Sequence, residues 1–284
     1  MFIDWIMTYG EDAQFVAFFA VLLACAGIEV LAPGRALAPR RRKRWRANFA
    51  LTAVAIGVMG VLPVTFISVA ASAADHRLGL FNQLDLPLAL ALIAQLLARG
   101  FISFATHWLM HKVPAFWRLH RVHHLDTALD VSTTVRLHPA ELLVQLAIGV
   151  PMVIALGLSP WVLMLYEILD AGVTVFAHAN ISLPAWLERR LRLVIVTPDL
   201  HRVHHSAAQP ETDSNFGAVL PFWDIVFGTY RARNRAELAS LVLGLEEVRD
   251  ARAHRIGWLL SSPWRAIQDT PRDQPRSPAG RASP

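Results

Sequence analysis

The chain has 284 residues, 54% hydrophobic and 17% charged, with 12 histidines, one cysteine and a formal net charge of +5. A mean hydropathy of +0.39 lies outside soluble globular composition and predicts an integral membrane protein. The lone Cys25 excludes an intramolecular disulfide, an iron–sulfur cluster and a cysteine-based zinc site.

A bilayer core about 30 Å thick asks for roughly 20 apolar residues per crossing helix. Residues 13–31 carry one charge, Glu29, and residues 49–71 carry none, so both are expected to cross. The first run is preceded by Asp4, Glu11 and Asp12 rather than a basic stretch, and no small-residue cleavage site follows; it reads as a retained helix, not a signal peptide. Between the two runs stands Pro39-Arg40-Arg41-Arg42-Lys43-Arg44-Trp45-Arg46. Flanked by membrane helices, this cluster is expected to be a cytoplasmic loop touching anionic lipid, not a nucleic-acid site. That orientation puts the N-terminus and residues 75–85 outside.

A third apolar run, 86–106, is interrupted only by Arg99 and delivers His107 and His111 to the cytoplasmic face. Residues 142–177 are apolar on both sides of Leu158-Ser159-Pro160, with Glu167 and Asp170 in the second half, and predict a helical hairpin, not necessarily spanning, that returns the chain to the same side. Residues 183–192 predict an amphipathic interfacial helix, Trp186, Leu187 and Leu191 against Glu188, Arg189, Arg190 and Arg192. Thr197-Pro198-Asp199 reads as a helix entry, residues 206–230 as loop-rich, and the proline-rich polar stretch beyond about 268 as a disordered tail. The expected fold is all-α: a polytopic membrane helical protein whose cytoplasmic helical cap holds a histidine-rich dinuclear metal site. Three regions follow: 1–85 with the N-terminal transmembrane helices and basic loop, 86–232 as the catalytic domain, and 233–284 as a C-terminal cytoplasmic extension.

The pentapeptide His-Arg-Val-His-His occurs at 120–124 and again at 201–205, and the first copy follows His107 and His111. On a helix, side chains at i, i+3 and i+4 share a face, so each block can aim two or three imidazoles at one point. Three such rings would repel one another when protonated and gain little from burial when neutral, a conflict that a metal resolves. Imidazole suits iron, copper, zinc and nickel. His178, in Ala177-His178-Ala179-Asn180, and His138, in Arg136-Leu137-His138-Pro139, are candidates to complete a coordination sphere or to hold a ligand in place; His76 and His254 stand alone and read as ordinary exposed histidines. Glu141, Glu167, Asp170 and Asp199 are candidate carboxylates for orienting imidazole N–H groups, with helix capping the better reading for Asp199.

The order of these histidines, H-x-x-x-H at 107–111, H-x-x-H-H at 120–124, His-x-Asn at 178–180 and H-x-x-H-H at 201–205, resembles the membrane-bound fatty acid hydroxylase / sterol desaturase superfamily. So do Phe-Trp-Arg-Leu-His at 116–120, Arg-Leu-His-Pro-Ala-Glu at 136–141, Asn-Phe-Gly at 215–217 and Trp-Asp-Ile-Val-Phe-Gly-Thr-Tyr at 223–230, and the likeness covers roughly residues 90–232. The resemblance implies a centre of two iron ions, dioxygen as oxidant, and hydroxylation or desaturation of a lipid; the same imidazoles would also accept zinc during purification. It implies His107, His111, His120, His123, His124, His178, His201, His204 and His205 as ligands, with His138, Glu141, Asn180, Asp199 and Asn215 as further candidates beside them. Some members carry another histidine four residues from the equivalent of His178, where this chain has Thr174 and Ser182. Nine ligands are therefore expected instead of ten, unless His138 or a water fills the gap.

No G-x-G-x-x-G element follows a predicted strand, so electrons are expected from a separate reductase, ferredoxin or b-type cytochrome. Rival readings fit less well. A membrane b-type cytochrome needs one axial histidine on each side of each haem and has no use for two H-x-x-H-H blocks. A zinc hydrolase needs a base of the H-E-x-x-H kind, which does not occur. A metal transporter would place its ligands near the bilayer midplane, whereas these fall at helix ends. The substrate is expected to be a lipid, an acyl or polar lipid before a sterol, and the site is expected on the cytoplasmic side of a bacterial inner membrane.

Overall fold

The computed structural model describes residues 1–38 and 40–265; the proline-rich stretch read as a tail lies outside them. Among the described residues every regular element is helical, apart from an isolated bridge between Ser206 and Leu243. Four of the described helices are long and apolar enough to cross a membrane: α1 (Phe2–Leu31), α4 (Leu88–Lys112), α6 (Pro139–Leu156) and α7 (Pro160–His178). At 1.5 Å per residue, α1 is about 45 Å long and α6 and α7 about 27–29 Å, so both hairpin arms match the apolar layer by length.

The first helix absorbs Asp4, Glu11 and Asp12 and packs along α7. Its one late charge, Glu29, is fully buried and accepts from the backbone N–H groups of Val131 and Asn180, both at 2.8 Å, and from Arg41 at 2.8 Å. That carboxylate ties the end of α1 to the histidine layer.

The second expected span divides into two. Helix α2 (Arg41–Met59) stops before Pro63, and α3 (Phe66–Asp75) restarts with Thr65 capping the Ser68 N–H at 3.1 Å. Proline has no N–H to donate and disfavours helical geometry in the residue before it, which accounts for the break. The expected basic loop is also corrected, because residues 41–46 form the first turns of α2. Arg44 is buried with Asp126 at 2.6 Å and Asp130 at 2.8 Å, and Arg41 pairs with Glu29, so only Arg40, Arg42, Lys43 and Arg46 remain exposed for a headgroup.

Two corners set the direction of the chain around the site. Val113 is extended between α4 and α5 (Pro114–His124), where Pro114 takes the first helical position; a residue before proline avoids helical geometry while proline suits the first turn. The chain thus turns sharply between His111 and His120. Gly157 closes α6 at φ 66°, a left-handed geometry open to glycine, and Pro160 starts α7 after it. Leu80 donates to the Ala155 carbonyl at 3.0 Å and Ser159 to Gln95 at 2.6 Å, so residues 78–82 and the hairpin tip share the end of the bundle remote from the histidines. Beyond α7 come α8 (Ala185–Leu191), α9 (Pro198–His204), α10 (Gln209–Thr212) and α11 (Phe222–Val226). In α8 Trp186 is exposed as an interfacial helix requires, but Glu188 turns inward and accepts from Thr197 at 2.6 Å. Residues 251–264 pack back onto α2 and α5: Arg136 reaches the Ala253 carbonyl and Arg121 that of Ser262.

Candidate metal centre

The nine histidines singled out in the sequence converge in two groups whose ligand atoms lie within 4.8 Å of one another: His107, His111, His120, His124 and His204 in one, and His123, His178, His201 and His205 in the other. Each H-x-x-H-H block divides between the groups instead of aiming at one point. His120 and His124, four apart and therefore stacked on α5, enter the first group and His123 the second; His201 and His205 enter the second and His204 the first. A helix rotates about 100° per residue, so adjacent histidines such as 123 and 124 point to different centres. The groups touch, with the His124 and His205 rings stacked at 4.6 Å.

Ring tautomers indicate what the groups suit. Imidazole Nδ1 donates to a carbonyl in four rings: His107 to Phe216 at 2.8 Å, His123 to Arg136 at 3.2 Å, His178 to Thr174 at 2.7 Å and His204 to Ser214 at 2.7 Å. His120 Nδ1 meets Glu141 Oε1 at 2.7 Å and His111 Nδ1 meets Asp213 at 3.3 Å. A carbonyl cannot donate, so Nδ1 carries the proton and a neutral ring keeps a lone pair on Nε2. Yet Nε2 of His107 lies 3.1 Å from Nε2 of His120, and Nε2 of His123 lies 3.1 Å from Nε2 of His178. Lone pair faces lone pair in both groups.

One shared proton would relieve one such contact, whereas a metal cation satisfies the convergent set. Two nitrogens bound at right angles about 2.1 Å from one ion lie about 3.0 Å apart, and the Nε2 pairs here span 2.9–3.2 Å. The buried His204 Nε2 has no hydrogen-bond partner among the described residues. Burial and neighbouring imidazoles hold His123, His124, His201 and His205 well below the usual histidine range, and burial brings His204 to about 3. Neutral rings are what a metal requires. The residues present therefore fit a pair of imidazole-bound ions.

Among the further candidates, Glu141 has its Oε1 against the His120 ring. His138 belongs to neither group: it caps α6, with Nδ1 accepting from Ala140 at 3.1 Å and Nε2 at the Leu260 carbonyl at 3.1 Å. Asn180 exchanges hydrogen bonds with the Arg35 backbone, fastening the segment after α1. Asn215 adopts φ 53° and bridges Leu200 and Arg231. The cap of α9 is Thr197, not Asp199, which pairs with Arg202 at 3.1 Å. Among the described residues Glu167 and Asp170 orient no imidazole, lying in the membrane half with Glu167 on Arg99.

Other supports were not legible as such. Asp224 accepts from the N–H groups of Phe216 at 2.7 Å and Gly217 at 2.8 Å and from Thr229 at 2.7 Å, aiming the Phe216 carbonyl at His107. A Cβ on Gly217 would sit 2.4 Å from the Leu220 carbonyl, so glycine is required there. Buried Arg44 holds Asp126 and Asp130 beneath α5; burial alone would raise the Asp126 pKa, but Arg44 keeps it well below the carboxylate range. A cavity of about 260 Å³ reaches His107, His120, His123, His178 and His201 from the membrane half.

Residues 92–229 match the fatty acid hydroxylase family model. The chain is 31% identical over 144 residues to the ornithine lipid hydroxylase OlsE of Rhizobium tropici, covering 51% of this chain and 43% of that one. It is 26% identical over 199 residues to the alkylglycerol monooxygenase of Homo sapiens, 66% and 42% covered, and 25% identical over 161 residues to methylsterol monooxygenase 1-3 of Arabidopsis thaliana, 54% of each covered. The matches thus span about half or less of these relatives' own lengths. No solved structure matches the chain. Both histidine groups lie within residues 92–229, the segment that matches the fatty acid hydroxylase family model.

Proposed function

We propose that the protein is a membrane-bound non-haem di-iron oxygenase that hydroxylates or desaturates a lipid C–H bond with dioxygen and external electrons. The observation that carries this reading is the pair of adjacent all-imidazole groups inside a fatty acid hydroxylase domain. His107, His111, His120, His124 and His204 would hold one iron, and His123, His178, His201 and His205 the other. Iron supplies the change of oxidation state that dioxygen reduction needs and that zinc lacks. In hydroxylation one oxygen atom becomes the alcohol and the other leaves as water, with two electrons and two protons from outside. A separate reductase, ferredoxin or b-type cytochrome would deliver the electrons.

The chain's own part is to orient and to exclude. Carbonyls of Phe216, Arg136, Thr174 and Ser214 fix the rings through Nδ1, and Glu141 makes His120 a stronger donor by accepting its proton. The cavity admits a substrate from the membrane half, while exposed Trp186, Leu193, Phe222 and Phe227 suit contact with lipid around it. A lipid reaches such a site most directly from the apolar layer. Of the relatives, the names ornithine lipid, alkylglycerol and methylsterol all describe such molecules. The remaining exposed arginines of residues 40–46 favour placing the histidine layer on the cytoplasmic side of a bacterial inner membrane. Comparative lipid mass spectrometry of aerobic cells with and without the gene tests the proposal: a product gaining one oxygen or losing two hydrogens is expected, and an unchanged lipidome with a competent electron donor present would contradict it.

A further inference from the structure

The membrane half of the cavity holds a charge imbalance that the metal chemistry does not use. Arg99 is buried and fully committed: Nε and Nη2 donate to Glu167 Oε1 at 3.1 and 2.7 Å, and Nη1 donates to Ser103 at 2.6 Å. Its guanidinium also lies 4.7 Å from the Tyr166 ring centre. Asp170, three residues beyond Glu167 on the same face of α7, lines the cavity too. Neither of its carboxylate oxygens has a hydrogen bond or ion pair among the described residues, and Oδ1 is enclosed. One arginine therefore faces two carboxylates inside the apolar layer. An uncompensated carboxylate there is costly, and ionisable groups at such depth mark ligand or ion paths.

Size and lining narrow what could compensate it. At about 260 Å³ the cavity is small beside the roughly 300–1,000 Å³ of ordinary ligand pockets, a size that suits a headgroup and the first carbons. Between Arg99 and the histidines its wall includes Ser103, Gln145 and Thr174, and Thr106, whose buried hydroxyl has no hydrogen-bond partner among the described residues and would stay unpaired against an alkyl tail.

We propose that Asp170 is a headgroup-recognition residue and that the cavity takes the ammonium-bearing head of a lipid. The ammonium pairs with the carboxylate that Arg99 leaves unmatched. Asp170 and His178 are eight residues apart on α7, about 12 Å along the helix, so a head anchored at Asp170 presents carbons of the polar half of the lipid to the histidines, not the far end of the tail. The fate of those carbons rests on the oxygenase reading; the binding does not.

The test uses the full chain in lipid nanodiscs and two probes, N-palmitoyl-putrescine with its free amine and the same molecule N-acetylated. The wild type should bind the free amine at least about tenfold more tightly, the scale expected for losing one partner of a desolvated charge pair. Asp170→Asn should erase that preference by weakening the free-amine probe alone. Equal wild-type affinity for both probes overturns the assignment without recourse to a variant, and so does a preference that survives in Asp170→Asn. Turnover of the same probes by iron-loaded protein with a reductant separates the two readings. Equal oxidation of both probes would remove the subsite and keep the oxygenase, whereas preferential binding with no oxidised product would keep the subsite and remove the oxygenase.

Discussion

The two histidine groups are built from the same motifs yet are held differently. In the five-membered group four rings are fixed through Nδ1, two of them by carboxylates, Glu141 for His120 and Asp213 for His111. In the four-membered group, among the described residues, only His123 and His178 are fixed, both by carbonyls, and Nδ1 of His201 and of His205 has no hydrogen-bond partner. Three of its four rings line the cavity, against two of five in the other. A site with many oriented donors binds its ion firmly, and one with fewer leaves a position open for a reactant. The first group is accordingly the better candidate for the retained ion and the second for the one that meets dioxygen and substrate.

Removing one ligand from either group should erase the difference by erasing function. His123→Ala and His204→Ala are each expected to abolish lipid oxidation without loss of membrane insertion, since both lie outside the four spans; His254→Ala, which touches neither group, should leave turnover near wild type. Product analysis in membranes checks all three, and full activity in both ligand variants would refute the site.

The convergence of the histidines was the most legible part of the chain because their spacing is helical: i, i+3 and i+4 positions on α5, and on α9 with the residue that follows it, announce themselves in sequence. The division of each block between two centres follows from the same geometry, but it appears only once both helices are docked. Supports such as the Phe216 and Ser214 carbonyls were hidden, since a backbone group looks alike at every position. Asp224 lay in a recognised string without a visible role until its loop closed on Phe216 and Gly217. The apolar run 49–71 concealed a break that Pro63 signals, and Arg41 and Arg44 looked like surface charge because their partners, Glu29, Asp126 and Asp130, are distant in sequence.

Glu141→Gln sharpens the comparison with a smaller effect. Losing the carboxylate against His120 should weaken metal binding by about 10–100-fold, and in the five-membered group only, so chelation should then strip both ions together instead of one before the other. Iron content followed during timed chelation reads this out; an unchanged order of release would contradict it.

A still gentler contrast comes from acid. His123, His124, His201, His204 and His205 have folded pKa values lowered by burial, so below about pH 6.5 the unfolded chain binds protons that the folded chain does not. Their contribution is complete above that pH and is lost as pH falls toward the folded values, about 3 for His204, at up to about 1.4 kcal/mol per unit for each ring. Metal-free protein should therefore lose thermal stability steadily from pH 6.5 to 4, while the metal-loaded form holds a plateau until its ions leave. Parallel melting curves across that range would count against metal binding by these rings.

Mössbauer spectroscopy of the protein loaded with iron-57 tests the central claim most directly. Two irons per chain in two inequivalent environments of equal area are expected, one from the five-histidine group and one from the four-histidine group. A single iron per chain, or a haem signature, would contradict the account.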